Sequence, residues 1–255
     1  MPSAPRLRAC NLCEAICGLE IEVANGVVES IRGDREDPLS RGHLCPKGVA
    51  LADLHRDQDR LRTPLKRGAD GGWQTLSWKS AFNEIASRLH AIEEEHGESS
   101  AAIYLGNPTV HNHGTLLFSE MLRQALGKPQ MYSATSLDQL PHHFAAREMF
   151  GHSLLLPVPD IDRTDFMLIL GANPVASNGS LMTAPGVRDR LKRIQARGGQ
   201  VVVLDPRRTE TAKLADHHHP VQPGSDVWVL SALVRQILEQ PHACLLYTSP
   251  SPRDS

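Results

Sequence analysis

Residues 165–205 read DFMLILGANPVASNGSLMTAPGVRDRLKRIQARGGQVVVLD, and two runs inside that stretch decide the fold. Asp165 to Gly171 (DFMLILG) and Gln200 to Asp205 (QVVVLD) are short, continuous apolar runs of the kind expected of central strands. Between them Val187 to Arg197 reads as a basic helix. Strand, helix, strand predicts a parallel sheet with a right-handed crossover.

The same alternation extends in both directions. Ser80 to Glu95 repeats apolar residues at helical spacing, and Ala101 to Leu105 gives a short buried-strand run. Thr115 to Leu126 and Leu140 to Phe150 read as helices. Asp226 to Glu239 reads as another, with Ser225 as its N-cap. Before residue 60 the pattern differs: Leu19 to Val23 and Val27 to Ile31 are β-like runs joined by Asn25-Gly26, a hairpin signal because both central turn positions need positive φ. Thr63-Pro64, Gly71-Gly72 and Trp73 to Leu76 suggest an extended connector and a second small hairpin. A boundary near residue 60 follows. Residues 242–255, including Cys244, lack periodicity and resemble the translated adapter that sometimes terminates assembled reading frames. They are set aside.

The 255 residues suffice for one large domain or two unequal ones, and 27 Lys plus Arg against 29 Asp plus Glu leave no long-range field to recruit nucleic acid or an acidic membrane surface. No apolar run approaches the roughly 20 residues of a membrane span, and no signal-like stretch precedes the first cysteine. A cytoplasmic location is expected, in keeping with cysteines spaced as metal ligands rather than as a disulfide framework.

Cys10-x2-Cys13-x3-Cys17 places three thiols in one loop, and Cys45 follows after an interval of 27 residues, just before Pro46-Lys47-Gly48. An iron-sulfur cubane takes four thiolates, which one compact loop and one distant residue can supply. Structural zinc more often uses two paired Cys-x2-Cys knuckles, and Cys45 has no such partner. The pattern therefore favours a [4Fe-4S] cluster on Cys10, Cys13, Cys17 and Cys45.

The stretch from Cys10 to Gly48, ending Arg41-Gly42-His43-Leu44-Cys45-Pro46-Lys47-Gly48, resembles the N-terminal cluster domain of the molybdopterin oxidoreductase superfamily, which includes formate dehydrogenases and nitrate reductases. The resemblance implies that Lys47 lies between cluster and pterin and assists electron passage. A cation there would also offset the charge of a reduced cluster. Without the surrounding motif, Lys47 would read as a solvated surface lysine.

The likeness continues through Glu239 in three segments. Gly171-Ala172-Asn173-Pro174 with Ser177 follows a strand, where an open α/β sheet places its ligand, and the resemblance makes Asn173 and Ser177 cofactor contacts. Asp205-Pro206-Arg207-Arg208 follows the next strand and joins a carboxylate suited to a ribose or guanine edge to arginines suited to phosphate, Asp205 and Arg208 being the contacts expected. Pro223-Gly224-Ser225-Asp226 opens a helix, with Gly224 and Asp226 as the third set. Each segment alone would pass as an ordinary turn or cap. Their order behind four cysteines carries the signal.

The resemblance also implies a protein ligand to Mo or W near Tyr132 to Gln139, where formate dehydrogenases carry Cys or selenocysteine. This chain has no cysteine there. Counting back from Gly151, which closes the next helix, places Asp138 nearest the position and Ser136 second; oxygen ligands are known in nitrate and dimethyl sulfoxide reductases of the superfamily. Asp138 would serve equally as a helix N-cap. His217-His218-His219 is expected in a polar loop with nothing of a dedicated zinc site in its spacing, and no role is assigned to His142-His143 or to His111 with His113.

These readings combine into an α/β protein: a small β-rich [4Fe-4S] domain over residues 1–60, then an incomplete parallel α/β molybdopterin-binding region over 61–241. The expected cofactors are the cluster and a Mo- or W-bis(molybdopterin guanine dinucleotide). The expected activity is two-electron redox chemistry on a small-molecule substrate, formate dehydrogenase-like, with an electron-transfer partner and no nucleic acid or membrane span. Alternatives are a nitrate reductase-like branch and a Mo-free electron-transfer subunit resembling the large subunit of NADH dehydrogenase.

Overall fold

The computed structural model describes residues 5–240, so the set-aside tail and Cys244 lie outside the described residues. Two compact units emerge: residues up to 159 together with 180–186, and residues 160–179 together with 187 onward.

The first unit opens with an antiparallel meander of β1 (Arg6–Ala9), β2 (Gly18–Ala24) and β3 (Val27–Gly33), with β2 in the centre. Asn25 and Gly26 make the turn with φ of 51° and 78°, which the short polar side chain of Asn and the missing Cβ of Gly permit. Residues 10–17 bulge out between β1 and β2, and Cys10 N–H donating to Cys17 O at 2.8 Å closes that loop. Its base packs Cys10, Ala15, Cys17 and Leu19 against Ile21, Ile31, Leu44 and Leu51. Two short helices follow, α1 (Pro46–Val49) and α2 (Leu51–Arg56), and then the hairpin β4 (Leu65–Arg67) and β5 (Trp73–Thr75).

Helix α3 (Trp78–His96) starts where Ser77 Oγ accepts from Ser80 N–H at 3.1 Å. Strand β6 (Ala102–Leu105) leads through a 3-10 turn (Asn107–His111) into α4 (His113–Ala125), capped by Asn112 Oδ1 accepting from Thr115 N–H at 2.9 Å. Strand β7 (Gln130–Ser133) lies parallel to β6, pairing Ala102 with Gln130 and Leu105 with Ser133. The short α5 (Thr135–Asp138) and α6 (Leu140–Phe150) follow, and Gly151 at φ 80° ends α6 in the left-handed conformation. Asp138 closes α5 and Gln139 stands at the N-cap of α6, so the N-cap alternative for Asp138 is corrected: the helix boundary falls one residue later.

The second unit is built on β8 (Phe166–Leu170), α7 (Pro174–Ser177), α8 (Val187–Ala196), β9 (Gln200–Leu204), α9 (Glu210–Leu214), β10 (His217–His219) and α10 (Asp226–Leu238). Its sheet runs β10-β9-β8, all parallel. The spacing Val187, Arg190, Leu191, Ile194 is one helical stripe, and α8 buries it against β9, where Val201 and Val203 are fully covered. Burying Leu191 and Ile194 contributes about 1.5–3 kcal/mol each. Arg190 stays in this stripe because its Nη1 donates to Asp162 Oδ2 at 3.0 Å.

Two local expectations are corrected here. The triple histidine is an edge strand, not a loop: His217 to His219 pair in register with Val202 to Leu204. The strand period places His218 inward, its Nε2 2.9 Å from Asp205 O, while His217 and His219 stack on the other side with ring centroids 6.4 Å apart. Ser225 occupies the N-cap position of α10 without capping it. With φ −92° and ψ 0° its hydroxyl donates back to Gln222 O at 2.6 Å instead.

Candidate cluster and cofactor site

All four cysteines outside the tail are free thiols, Cys10 and Cys17 buried, Cys13 and Cys45 half-buried. Burial first, and then the neighbouring Cys10, Cys13 and Cys45, push the Cys17 thiol up to about 11. Burial likewise raises Cys10, which Cys13 and Cys45 reinforce and the Leu12 N–H and the Lys47 ammonium oppose. The four thiols thus converge from the loop and from the start of α1. Four thiolates on one zinc would stand about 4 Å apart. Among the described residues, no three His, Cys, Asp or Glu side chains are gathered to hold a single metal ion. Four converging thiols fit an iron-sulfur core, whose irons would ionise them and offset their repulsion.

Local geometry holds this loop in place. Asp37 Oδ1 accepts from Ser40 N at 2.6 Å, Ser40 Oγ at 2.8 Å and Leu39 N at 3.1 Å, and Ser40 Oγ accepts from Gly18 N at 3.0 Å. The hydrogen bonds from Ser40 hold the Asp37 carboxyl below its ordinary range. A Cβ at Gly18 would stand 2.5 Å from Asp37 Cβ, so the strand after Cys17 needs glycine for this approach.

At the carboxyl ends of β6 and β7 lies a polar cavity of about 320 Å³ whose walls include Gly106, Ser133, Thr135, Asp138, Gln139 and Glu14. An open parallel sheet presents its ligand site at that edge. Asp138 is part of the wall; the exposed Ser136 hydroxyl donates to Ser133 O at 3.4 Å. Glu14 comes from the cysteine loop, and sequence reading missed it. A carboxylate inside a Cys-x3-Cys loop was the available signal. Behind it stands His111, with Nε2 3.8 Å from Glu14 Oε1.

The second unit brings Asn173 and Ser177 to the end of β8, and Asp205 and Arg208 to the end of β9. Asn173 bridges to α9: its Nδ2 donates to Glu210 Oε2 at 2.7 Å and its Oδ1 accepts from Thr211 Oγ1 at 2.7 Å. Ser177 Oγ donates to Asn173 O at 3.3 Å. Asp205 is buried, its Oδ1 accepting from Arg207 N–H at 2.7 Å, while Arg208 is exposed. Gly224, at φ 81°, and the exposed Asp226 lie between the end of β10 and the first turn of α10. This edge offers the exposed Ser177 hydroxyl and Arg208 guanidinium beside the buried Asp205 carboxylate and the half-buried Asn173 amide, a set suited to phosphate and purine edges.

Comparison with known proteins matches residues 60–243 to the molybdopterin oxidoreductase family and residues 9–56 to the molybdopterin oxidoreductase Fe4S4 domain. The chain is 30% identical to the thiosulfate reductase molybdopterin-containing subunit of Salmonella typhimurium over 91% of its length and 29% of that protein. It is 27% identical to formate dehydrogenase H of Escherichia coli, covering 91% of this chain and 32% of the relative. With the assimilatory nitrate reductase catalytic subunit of Bacillus subtilis it shares 27% identity over 80% of this chain and 28% of the relative. Acetylene hydratase from Pelobacter acetylenicus has the same fold, with a TM-score of 0.67 at 24% identity over 91% of this chain and 32% of that one. The chain spans about a third of the length of these relatives. Among the described residues no helix is long and apolar enough to cross a membrane.

Proposed function

The chain belongs to the molybdopterin oxidoreductase family, and we propose that the enzyme it forms part of is a formate dehydrogenase-like oxidoreductase acting on a small-molecule substrate and passing electrons to a partner protein or domain in the cytoplasm. The observation that carries this reading is the convergence of Cys10, Cys13, Cys17 and Cys45 in the same compact unit as a polar cavity at the ends of β6 and β7. When bound, the Mo or W centre would supply two-electron chemistry and the cluster one-electron transfer.

The residues divide the work. The four cysteines hold the cluster, and Lys47, whose ammonium already acts on Cys10, places positive charge beside it. Asp138 offers a carboxylate oxygen to the metal from the cavity wall. Asn173, Ser177, Asp205, Arg208, Gly224 and Asp226 hold and orient the dinucleotide, the buried Asp205 fixing a guanine or ribose edge and the exposed Arg208 meeting phosphate. A division of labour near residue 60 follows, with residues 1–60 serving the cluster and 61–241 the pterin. The oxygen donor at Asp138 favours a second reading, a nitrate reductase-like enzyme.

The test is purification of the full-length enzyme from cofactor-producing cells, with Mo, W, iron and dye-linked formate and nitrate turnover measured together. Stoichiometric metal with formate turnover is expected. Nitrate turnover alone would select the second reading, and iron without Mo or W would point to an electron-transfer subunit. Residues 1–243 alone are expected to lack turnover, because a metal centre needs a shaped, water-excluding cavity. Sustained turnover by that fragment would overturn this expectation.

A further inference from the structure

Glu14 and His111 form a pair that the cluster and cofactor assignments leave unexplained. Glu14 sits inside the cysteine loop, its side chain 20% exposed, on the wall of the cavity that Asp138 also lines. His111, at the end of the 3-10 turn after β6, has a side chain only 8% exposed. Its Nε2 is buried without a hydrogen-bond partner among the described residues and lies 3.8 Å from Glu14 Oε1. Burying an imidazole nitrogen with no partner costs free energy, and such groups in folded proteins call for a reason. The carboxylate in its reach, that of Glu14, belongs to the loop that carries Cys13 and Cys17.

We propose that His111 is a positioning residue that holds the Glu14 carboxylate on the cavity wall, and that through Glu14 it sets the reduction potential of the cluster. The inference rests on the [4Fe-4S] assignment. The physical reason is Coulombic: an electron added to the cluster is opposed by a negative charge fixed in a partly buried site nearby. Holding that charge at one place makes the potential a defined quantity. A carboxylate free to swing into solvent would be screened and would act less. Fixing it at the cavity wall also lets a ligand that hydrogen-bonds to Glu14 be felt at the cluster.

The experiment uses the full chain with its cluster reconstituted anaerobically, and compares the parent with Glu14→Gln, His111→Ala, His111→Gln and the double variant Glu14→Gln/His111→Ala. Iron is counted first, then the cluster midpoint potential is read by redox titration with electron paramagnetic resonance. About four irons per chain are expected in every variant. Glu14→Gln should raise the potential by removing the charge, and His111→Ala should raise it by releasing the carboxylate. His111→Gln, which restores an N–H donor, should return part of the shift. Above all, the double variant should match Glu14→Gln, because His111 then has nothing left to position. Full iron with potentials unmoved, or a double variant shifted by both single effects together, would overturn the inference alone. Zinc in place of iron in the parent would remove the cluster assignment and this inference together.

Discussion

The Oδ1 of Asn173 accepts two hydrogen bonds from Thr211, one from its backbone N–H at 3.2 Å and one from its hydroxyl at 2.7 Å. The same hydroxyl oxygen accepts from Val175 N–H at 3.1 Å, and Thr211 is fully buried. One threonine therefore fixes both the turn after β8 and the first turn of α9, the two elements that carry Asn173 and Glu210.

Thr211→Val keeps the shape and removes the hydroxyl, leaving Val175 N–H without its acceptor. A loss of about 1–3 kcal/mol in unfolding free energy is expected. Urea unfolding followed by circular dichroism reads it; an unchanged midpoint would mean that Asn173 and Val175 find other partners.

Gly199 shows how closely the chain approaches itself at the start of β9. A Cβ there would stand 2.4 Å from Asp165 O and 2.8 Å from Ile194 Cγ2. Because one neighbour is backbone, relief requires moving the β8 edge, and Gly199→Ala should cost about 1–3 kcal/mol. Gly26, whose Cβ position is open, serves as a control for glycine replacement in general, with strain arising there only from its φ of 78°. Equal melting temperatures for Gly199→Ala and the parent would contradict the close approach.

Cys45→Ser should abolish the cluster, because a single loop holding Cys10, Cys13 and Cys17 leaves one corner of the cubane without a thiolate. The iron count should fall well below about four per chain, while far-ultraviolet circular dichroism keeps at least the helical signal of the second unit, since α8 and its stripe belong to a separate core. Global loss of helix would show that the two regions fold only together.

Asp37 gives a pH dependence with a definite sign. Its carboxyl is held below the ordinary value of 3.8 by the Ser40 N–H first; burial opposes this, and the Ser40 hydroxyl and Leu39 N–H add to the lowering. A folded value below the unfolded one means that stability from this group is present above the unfolded value and is lost as pH falls through the folded one. Asp37→Asn should therefore unfold at lower urea than the parent at neutral pH, and the gap should narrow as pH drops below about 4. A gap that stays constant down to the acid limit would mean that the charge of Asp37 contributes nothing.

Local chemistry made much of this protein legible. Asn25-Gly26 announced the β2–β3 turn because few residue pairs take two positive φ values in succession, and the observed 51° and 78° answer that need. The stripe of α8 and the apolar runs of β8 and β9 were readable because burial on one side imposes a period on the residues themselves. Three histidines in a row have no such period. His217 to His219 become a strand only because β9 offers an open edge beside them. Ser225 has the side chain of a cap, but a backbone ψ of 0° turns its hydroxyl toward Gln222.

The sequence by itself determined the cysteine set, through its spacing and the Cys45-Pro46-Lys47-Gly48 run, and the parallel α/β alternation and the turns that follow each strand, which depend on residues near one another in the chain. Only the tertiary structure decided that Glu14 and Asp138 face one cavity, that His111 stands behind Glu14, and that Asn173 is tied to Thr211. These partners are distant in sequence, and nothing in the composition around either member specifies the other. Their meeting depends on where β6 and β7 end, how the loop between β1 and β2 bulges, and which strand edge α9 follows, and those are set by the packing of apolar side chains that are not themselves part of the site.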